Sequence, residues 1–250
     1  MPTQPGTRPA RVPEAVTAAA RLRHEGRLHD AVTLVGAALD DARSQPYGVP
    51  FRDRVLLALT LADLYIGVGN RSAAQDLLHH EALYADHILR LVQQSGTPDE
   101  VHVATVGCYQ LRDRAAQIAL LDRPAPELDV VDWLRGEPTT LTALHGRVVL
   151  LEFWAPSCRS CAGMAPFLDE LLSQHEELNV FGLTDRRTEP IGHAFGAAVV
   201  SDRTRLRYGA RGVPTFTLID RAGTVRVATS KPDKAALREA ITHLLDEVTP

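Results

Sequence analysis

The hydrophobic pattern of the chain changes near residue 122, and this change limits the folds that are open to it. From residue 14 to residue 122, Ala and Leu recur every three or four residues, which is the period of amphipathic helices. After residue 130, short runs rich in Val, Leu and Phe alternate with helical stretches at about 161–175, 203–209 and 233–247, which is typical of a mixed sheet with helices on its faces. The runs VPTFTLID and AGTVRVA predict a hairpin turned at residues 222–223. A chain of 250 residues is long enough for two domains, each with its own core.

Segments without a hydrophobic period mark the predicted domain boundaries. Residues 1–13 are rich in Pro, Thr and Arg, and we predict a flexible N-terminus there. The segment LDRPAPELDV then breaks the helical pattern with two prolines. We therefore predict an all-helical domain over residues 14–122, a linker over 123–129 and an α/β domain over 130–250.

Two glycines divide the helical half at equivalent places. The residues around them have the same spacing in both copies, namely Leu22, Gly26 and Ala31 in the first and Tyr65, Gly69 and Ala74 in the second. Each glycine stands where a helix ends in a left-handed cap, and each alanine lets the next helix approach closely. The pattern resembles tetratricopeptide hairpins, although the glycines lie 43 residues apart and that repeat is about 34 residues long. An irregular helical bundle explains the same residues.

Charge and hydropathy exclude several classes of partner. The net charge is −4 and no cluster of basic residues occurs, so we expect no nucleic acid partner. The first residues lack the apolar segment of a secretory signal, and no run of eighteen uncharged apolar residues is present. We therefore expect a cytoplasmic protein with no membrane partner.

Two of the three cysteines, Cys158 and Cys161, stand two residues apart after the apolar run HGRVVLLEFWA. Three cysteines cannot form a fully paired framework, so this pair favours redox chemistry over a structural role. If the run is a strand and a helix follows it, Cys158 lies at the helix N-terminus, where free N–H groups and the helix dipole stabilise a thiolate. Cys158 is then the nucleophile, and Cys161 attacks the mixed disulfide and releases the product.

Half of a zinc site is the alternative interpretation of the cysteine pair. Such a site requires a second pair of ligands at a compact spacing. The chain has no second Cys-x-x-Cys, and the candidate histidines His145, His175 and His193 are scattered singly. We therefore predict no metal and no cofactor. Cys108, the third cysteine, is expected to pack as a small apolar residue on a helix.

Residues 124–250 resemble the thioredoxin-like fold, and within it the TlpA, ResA and redoxin branch of thiol-disulfide oxidoreductases. The resemblance rests on PAPEL, on LTALHGRVVLLEFWAPSCRSC, on Pro166 five residues after Cys161, and on GVPTF within YGARGVPTFTLIDRAGTV. It implies an α/β fold class, with a C-terminal thioredoxin-like mixed sheet flanked by helices after an N-terminal all-helical, tetratricopeptide-like domain. No segment resembles the Pro-x-x-x-Thr-x-x-Cys motif of peroxiredoxins.

The resemblance also implies roles for residues outside the cysteine pair. Pro214 matches the cis-proline of the family, which leaves the backbone of Val213 free to pair with an extended substrate. Glu152 matches the buried acid that exchanges a proton with the resolving cysteine, and a carboxyl among apolar residues has a raised pKa that suits this role. A strand-end glutamate that reaches solvent is the alternative for Glu152. Trp154 is expected to pack beside the cysteines as a wall of the site.

We predict from these residues a thiol-disulfide oxidoreductase that reduces protein or small-molecule disulfides, and the helical domain is open to a protein partner. The alternatives are a non-enzymatic adaptor and a redox sensor whose disulfide changes the packing of the helical half. Ser157 replaces the aromatic residue that the family usually has before its first cysteine, and Arg159 adds charge near the thiolate, so the partner is left open. Export by an unrecognised route is also left open, since most relatives of this branch work outside the cytoplasm.

Overall fold

A computed structural model describes most of the chain, namely residues 14–45, 48–189, 195–230 and 232–247. The predicted flexible segment 1–13 and the candidate ligand His193 lie outside the described residues. The backbone divides into two compact units, Met1–Leu111 and Arg112–Pro250. Each unit is described by itself.

The first unit is helical, as the period of its apolar residues predicts. Its described helices are α1 Glu14–His24, α2 Leu28–Ser44, α3 Phe51–Gly67, α4 Arg71–Ser95 and the first part of α5 Pro98–Leu120. Helices α1 to α4 pack against their neighbours in chain order, around fully buried side chains such as Leu39 and Leu78. Among the described residues, no helix combines the length and the apolar character that crossing a membrane requires.

The two predicted glycine caps are confirmed. Gly26 follows α1 and Gly69 follows α3, each with φ of +76°. In both turns the amide after the glycine donates to the carbonyl five residues before it, at 2.8 Å, as in a Schellman cap. The alanines that follow, Ala31 and Ala74, are fully buried. The two turns are therefore equivalent, whereas a relation to tetratricopeptide repeats stays a prediction.

The second unit contains the predicted mixed sheet. Its strands are β1 Val130–Arg135, β2 Val148–Phe153, β3 Leu178–Thr184, β4 Gly196–Val200, β5 Thr215–Ile219 and β6 Val225–Ser230. They lie in the order β1-β4-β3-β2-β5-β6, with β2, β3 and β4 parallel and the other strands antiparallel to their neighbours. The helices are α6 Arg159–Ala162, α7 Ala165–Gln174, α8 Asp202–Arg207 and α9 Lys234–Asp246, with a short 3₁₀ turn at Thr142–Leu144.

Strand β2 is buried at every position because side chains cover both faces of the sheet. Its even-numbered residues, such as Leu150, pack with Leu168 of α7 and Ile241 of α9. Its odd-numbered residues, such as Leu151, pack with Tyr208 on the opposite face. Since successive strand side chains alternate between faces, the next even position, residue 152, lies on the face that α7 and α9 cover.

The division between the units lies inside α5, after Leu111, whereas the sequence predicts a linker at residues 123–129. Polar side chains from the last turns of α5, Asp113 and Gln117, hydrogen-bond to loops and strands of the second unit. These contacts explain why the end of the helix belongs to the second unit.

The residues after α5 are also hydrogen-bonded within the second unit. The amide of Asp122 donates to the carbonyl of Val225 at 2.8 Å, and the amide of Ala125 donates to that of Gly223 at 2.8 Å. The chain therefore runs along the start of β6, at the edge of the sheet, before it enters β1. The predicted hairpin turn at residues 222–223 is confirmed, with Gly223 at φ of +79°.

Candidate active site

The cysteine pair lies where the central strand β2 passes into α6. Cys158 is the N-cap residue of α6 and Cys161 lies within that helix. The two residues form a disulfide, with their Cα atoms 5.3 Å apart. Cys158 is partly exposed, whereas Cys161 is only 3% exposed. This difference makes Cys158 the sulfur that an external disulfide can reach first.

Two hydrogen-bond donors face the sulfur of Cys158. The backbone N–H of Cys161 lies 3.1 Å from Cys158 Sγ, and the hydroxyl oxygen of Ser160 lies 3.5 Å from it. Donors at these positions stabilise negative charge on a sulfur. In the reduced form they would favour the thiolate of Cys158 over its thiol.

The helix predicted for residues 161–175 is divided in the structure. Helix α6 has only four residues, and α7 starts at Ala165 with Pro166 in its first turn. Proline is tolerated there because the first N–H groups of a helix have no partner within it. The side chain of Lys234 donates to the carbonyl of Gly163 between the two helices, at 3.0 Å.

Glu152 is fully buried in β2, on the sheet face covered by α7 and α9. Neither of its carboxyl oxygens has a hydrogen-bond partner among the described residues. Burial raises the pKa of Glu152 from its ordinary value of 4.5 to about 8, because the charged form loses its hydration. The alternative of a glutamate that reaches solvent is therefore wrong.

Aromatic rings close the space beside Glu152. Its neighbour across the parallel pair is Gly182 of β3. A Cβ atom at Gly182 would lie 3.0 Å from the ring of Phe195 and 3.1 Å from the indole nitrogen of Trp154. Trp154 is 4% exposed and thus packs as a wall on this side of the sheet. The bare glycine leaves room for both rings, which keep water from this part of the core.

Pro214 stands just before β5, at the same end of the sheet as the cysteines. The antiparallel pair of β2 and β5 matches Phe153 with Thr215, so the next position along this register places Pro214 opposite Trp154. The Val213–Pro214 peptide bond is cis. Pro214 is buried and Val213 is half-buried. The register therefore brings the proline, the tryptophan and the start of the cysteine loop to the same end of the sheet.

Among the described residues, the histidines do not join the cysteines in a metal-binding group. Within the part of the chain that the structure describes, no three His, Cys, Asp or Glu side chains are arranged to hold a metal ion. His145 instead lies against the turn of the β5–β6 hairpin, where a Cβ atom on Gly223 would come 2.6 Å from its ring.

Sequence patterns do not single out two polar residues of α5 that hold the loop before Pro214. Asp113 and Gln117 are 4% and 1% exposed and bond to residues 209–212 of that loop. They are one helical turn apart, a spacing that also suits a solvated helix face. Nothing in the sequence distinguishes such a solvated helix face from the buried pair seen here.

The fold and the site together define a thioredoxin-like domain with a disulfide-bonded cysteine pair at the end of its central strand. Residues 140–243 match the family model described as thioredoxin. The C-terminal half of the chain therefore carries a thioredoxin domain, as the sequence motifs predict.

Named relatives are similar to this half of the chain. A thiol-disulfide oxidoreductase ResA of Bacillus thuringiensis is 28% identical over 42% of the chain and 66% of the relative. ResA of Geobacillus thermodenitrificans is 30% identical over 41% of the chain and 64% of the relative. The chain thus spans about two thirds of the length of these relatives. A thiol-disulfide isomerase structure from Corynebacterium glutamicum is 24% identical, with a TM-score of 0.45, over 50% of this chain and 97% of that one.

Proposed function

We propose that the chain is a thiol-disulfide oxidoreductase that reduces disulfides in proteins. The observation that carries this proposal is the arrangement of the pair: a partly exposed Cys158 bonded to a buried Cys161 at the end of β2. The ResA relatives, which are named thiol-disulfide oxidoreductases, support the reaction class.

The first step starts from the reduced pair. The thiolate of Cys158 attacks one sulfur of the substrate disulfide, a new S–S bond forms, and the other substrate sulfur leaves with the electron pair of the broken bond. The N–H of Cys161 and the hydroxyl of Ser160 face the attacking sulfur. These donors stabilise the negative charge of the thiolate before the attack.

The second step releases the substrate. In the molecules whose Glu152 is ionised, a minority at neutral pH because its pKa is about 8, the carboxylate accepts the proton of the Cys161 thiol. The resulting thiolate attacks Cys158 Sγ, and the second substrate sulfur leaves with the electron pair of the broken bond and is then protonated. A carboxyl with a pKa near 8 can exchange a proton with a thiol at neutral pH. The substrate has then gained two electrons and two protons, and a thiol reductant must return the enzyme to its dithiol form.

The segment just before Pro214, at the end of the sheet, supplies the substrate site in this proposal. An extended peptide pairs with the backbone of Val213, in the manner of a strand added to a sheet edge. Trp154 is buried and follows the strand whose register leads toward Pro214, and in this proposal it supports the substrate segment from the core. Small-molecule disulfides that lack such a peptide are the second class of substrate, and they reach Cys158 without it.

Trapping of the mixed disulfide tests the proposal. The Cys161→Ser variant can make the first attack but cannot resolve it, so it should retain substrate proteins through a bond that dithiothreitol breaks. The Cys158→Ser variant is the matched control and should retain none. The parent should also reduce insulin, with activity lost in both variants.

Other results would favour the alternative functions. An inactive parent whose Cys161→Ser variant traps nothing would remove the oxidoreductase proposal. In that case, binding of a protein by both variants alike would favour the adaptor. A parent whose far-UV or tryptophan spectrum changes with the redox state, without turnover, would favour the sensor.

A further inference from the structure

Helix α5 holds the loop that precedes Pro214, residues 209–213. Gln117 Nε2 donates to the carbonyl of Gly209 at 2.8 Å. The carboxylate of Asp113 accepts from the guanidinium of Arg211 at 2.7 Å and from the backbone N–H of Gly212 at 3.2 Å. Polar groups of three loop residues are therefore bonded to one face of one helix.

The α5 side chains are buried and both belong to a wider network. Asp113 uses one carboxyl oxygen for Arg211 and the other for Gly212. Gln117 also donates to Ser230 Oγ of β6 at 3.0 Å, and Ser230 lies 3.0 Å from the hydroxyl of Thr215, the first residue of β5. The network thus joins α5 to the loop and to both strands of the hairpin that follows it.

The backbone of the loop also approaches the backbone of α5. Gly209 has φ of +57°, and a Cβ atom at this position would collide with the carbonyl of Asp113. Only glycine combines that conformation with that contact. The loop therefore has little freedom to move toward the helix, and the hydrogen bonds prevent it from moving away.

We infer that Asp113 is a positioning residue for the substrate-binding segment just before Pro214 in the thioredoxin domain. It fixes Gly212, and Gly212 precedes Val213, whose backbone pairs with the substrate peptide in the proposed function, on which this inference rests. Sites of this kind lose efficiency when their supporting shell lets a binding group move. Asp113 makes no contact with the cysteines in this assignment, so it acts on peptide binding and leaves the thiol chemistry unchanged.

The test compares two substrates of the full-length chain. Insulin presents a peptide disulfide, whereas the small aromatic disulfide DTNB has no peptide to pair with Val213. Removing a partner from buried polar groups costs about 1–3 kcal/mol, so Asp113→Ala should raise KM for insulin by about 5- to 150-fold. Its kcat for insulin and its rate with DTNB should equal those of the parent, because a loss in binding alone raises KM.

A milder variant and a control complete the design. Asp113→Asn keeps one acceptor and should give a smaller rise in KM. Asp122→Asn removes the carboxylate of another ion pair in the same unit, which Asp122 makes with Arg226 and which is half exposed. It should leave both substrates unaffected. An unchanged KM in Asp113→Ala, or an equal loss with insulin and DTNB, would overturn the inference.

Amide exchange gives a readout that does not depend on activity. The N–H of Gly212 is bonded to Asp113, so its exchange with deuterium, followed by NMR, should be faster in Asp113→Ala and unchanged in Asp122→Asn. Equal exchange in Asp113→Ala and the parent would overturn the positioning role. If the parent fails to reduce insulin, the proposed function fails, and the exchange rate still decides whether Asp113 fixes the loop.

Discussion

Among the described residues, each unit buries one glutamate, and the two carboxyl groups differ in their hydrogen-bond partners. In the helical unit, Glu81 is 3% exposed and accepts hydrogen bonds from Arg54 at 2.7 Å and from Arg43 at 2.9 Å. The guanidinium of Arg54 also stacks on the ring of Tyr84, at 3.4 Å from its centre. In the thioredoxin unit, Glu152 is fully buried and has no such partner among the described residues.

This difference separates a structural carboxylate from one that suits proton transfer. A buried charge is tolerated when partners replace its hydration, and Glu81 has them on both oxygens. A buried carboxyl without partners keeps its proton instead, and Glu152 has its pKa raised to about 8. Burial of a glutamate is therefore not informative about function until its partners are counted.

The largest expected effect is on the rate of the second step. If Glu152 accepts the proton of Cys161, Glu152→Gln should slow resolution of the mixed disulfide by about 10²–10⁴-fold, the usual contribution of general acid-base catalysis. The first attack by Cys158 should keep nearly the parent rate, since Glu152 takes no part in it. Single-turnover kinetics resolves the two steps, and Glu152→Ala should share the defect. If Glu152→Gln resolves the mixed disulfide at the parent rate, Glu152 takes no part in proton transfer.

The next effect is a dependence of stability on pH that comes from Glu152. The native state holds this proton up to about pH 8, whereas the unfolded chain releases it near pH 4.5. The native state therefore binds more protons between these values, and the free energy of unfolding falls as the pH rises through this window. At 1.36 kcal/mol for each pKa unit, the loss amounts to roughly 5 kcal/mol.

Urea unfolding of the oxidised protein, followed by tryptophan fluorescence, measures this loss. Both tryptophans, Trp133 and Trp154, lie in the thioredoxin unit, so the signal reports on the part that contains Glu152. Glu152→Gln has no proton to release and should show a flatter profile from pH 5 to pH 8. A parent profile as flat as that of the variant would show that the carboxyl is hydrated or paired.

Glu81 should behave in the opposite way. Glu81→Ala leaves Arg54 buried without its counter-ion, and breaking a buried pair in this manner costs about 3–5 kcal/mol of stability. The matched control is Glu25→Ala, which breaks the exposed pair with Arg27 and should cost far less stability, because water solvates both charges of that pair. Far-UV circular dichroism during urea unfolding follows the helices. If Glu81→Ala loses as little stability as the control, the attraction between Glu81 and Arg54 only offsets the free energy that their desolvation costs.

The sequence predicts the parts of this comparison that depend on local pattern. The glycine caps, β2 with the cysteine pair after it, and the β5–β6 hairpin follow from period and turn chemistry. Strands β1 and β4 do not, because β1 carries Asp132 and Arg135 among its apolar residues and β4 begins with the small residues Gly196 and Ala197. Their pairing is decided by contacts distant in the chain.

The polar partners of the site cannot be predicted for the same reason. The apolar neighbours of Glu152 in β2 leave both a buried and a solvent-reaching side chain open. Nothing in the sequence shows that Glu81 meets two arginines while Glu152 has no partner among the described residues. The bond between Asp113 and Arg211 likewise joins residues 98 positions apart. Such pairs depend on tertiary structure, and the hydrophobic period of the sequence does not predict them.

The smallest expected effect concerns where the thioredoxin unit begins. A fragment of residues 124–250 matches the predicted linker, whereas a fragment of residues 112–250 keeps Asp113 and Gln117 of α5. In the shorter fragment, the loop before Pro214 loses its hydrogen-bond partners on α5. The free energy of unfolding of the shorter fragment should therefore be lower than that of the longer one by about 1–3 kcal/mol. Both fragments contain Glu152 and lack Glu81, so both should keep the fall in stability between pH 5 and pH 8. Urea unfolding of the two fragments, compared at pH 5, measures the difference. Equal stabilities would place the start of the unit at the predicted linker. A flat pH profile in the longer fragment would show that the pH dependence of the full chain arises outside the thioredoxin unit.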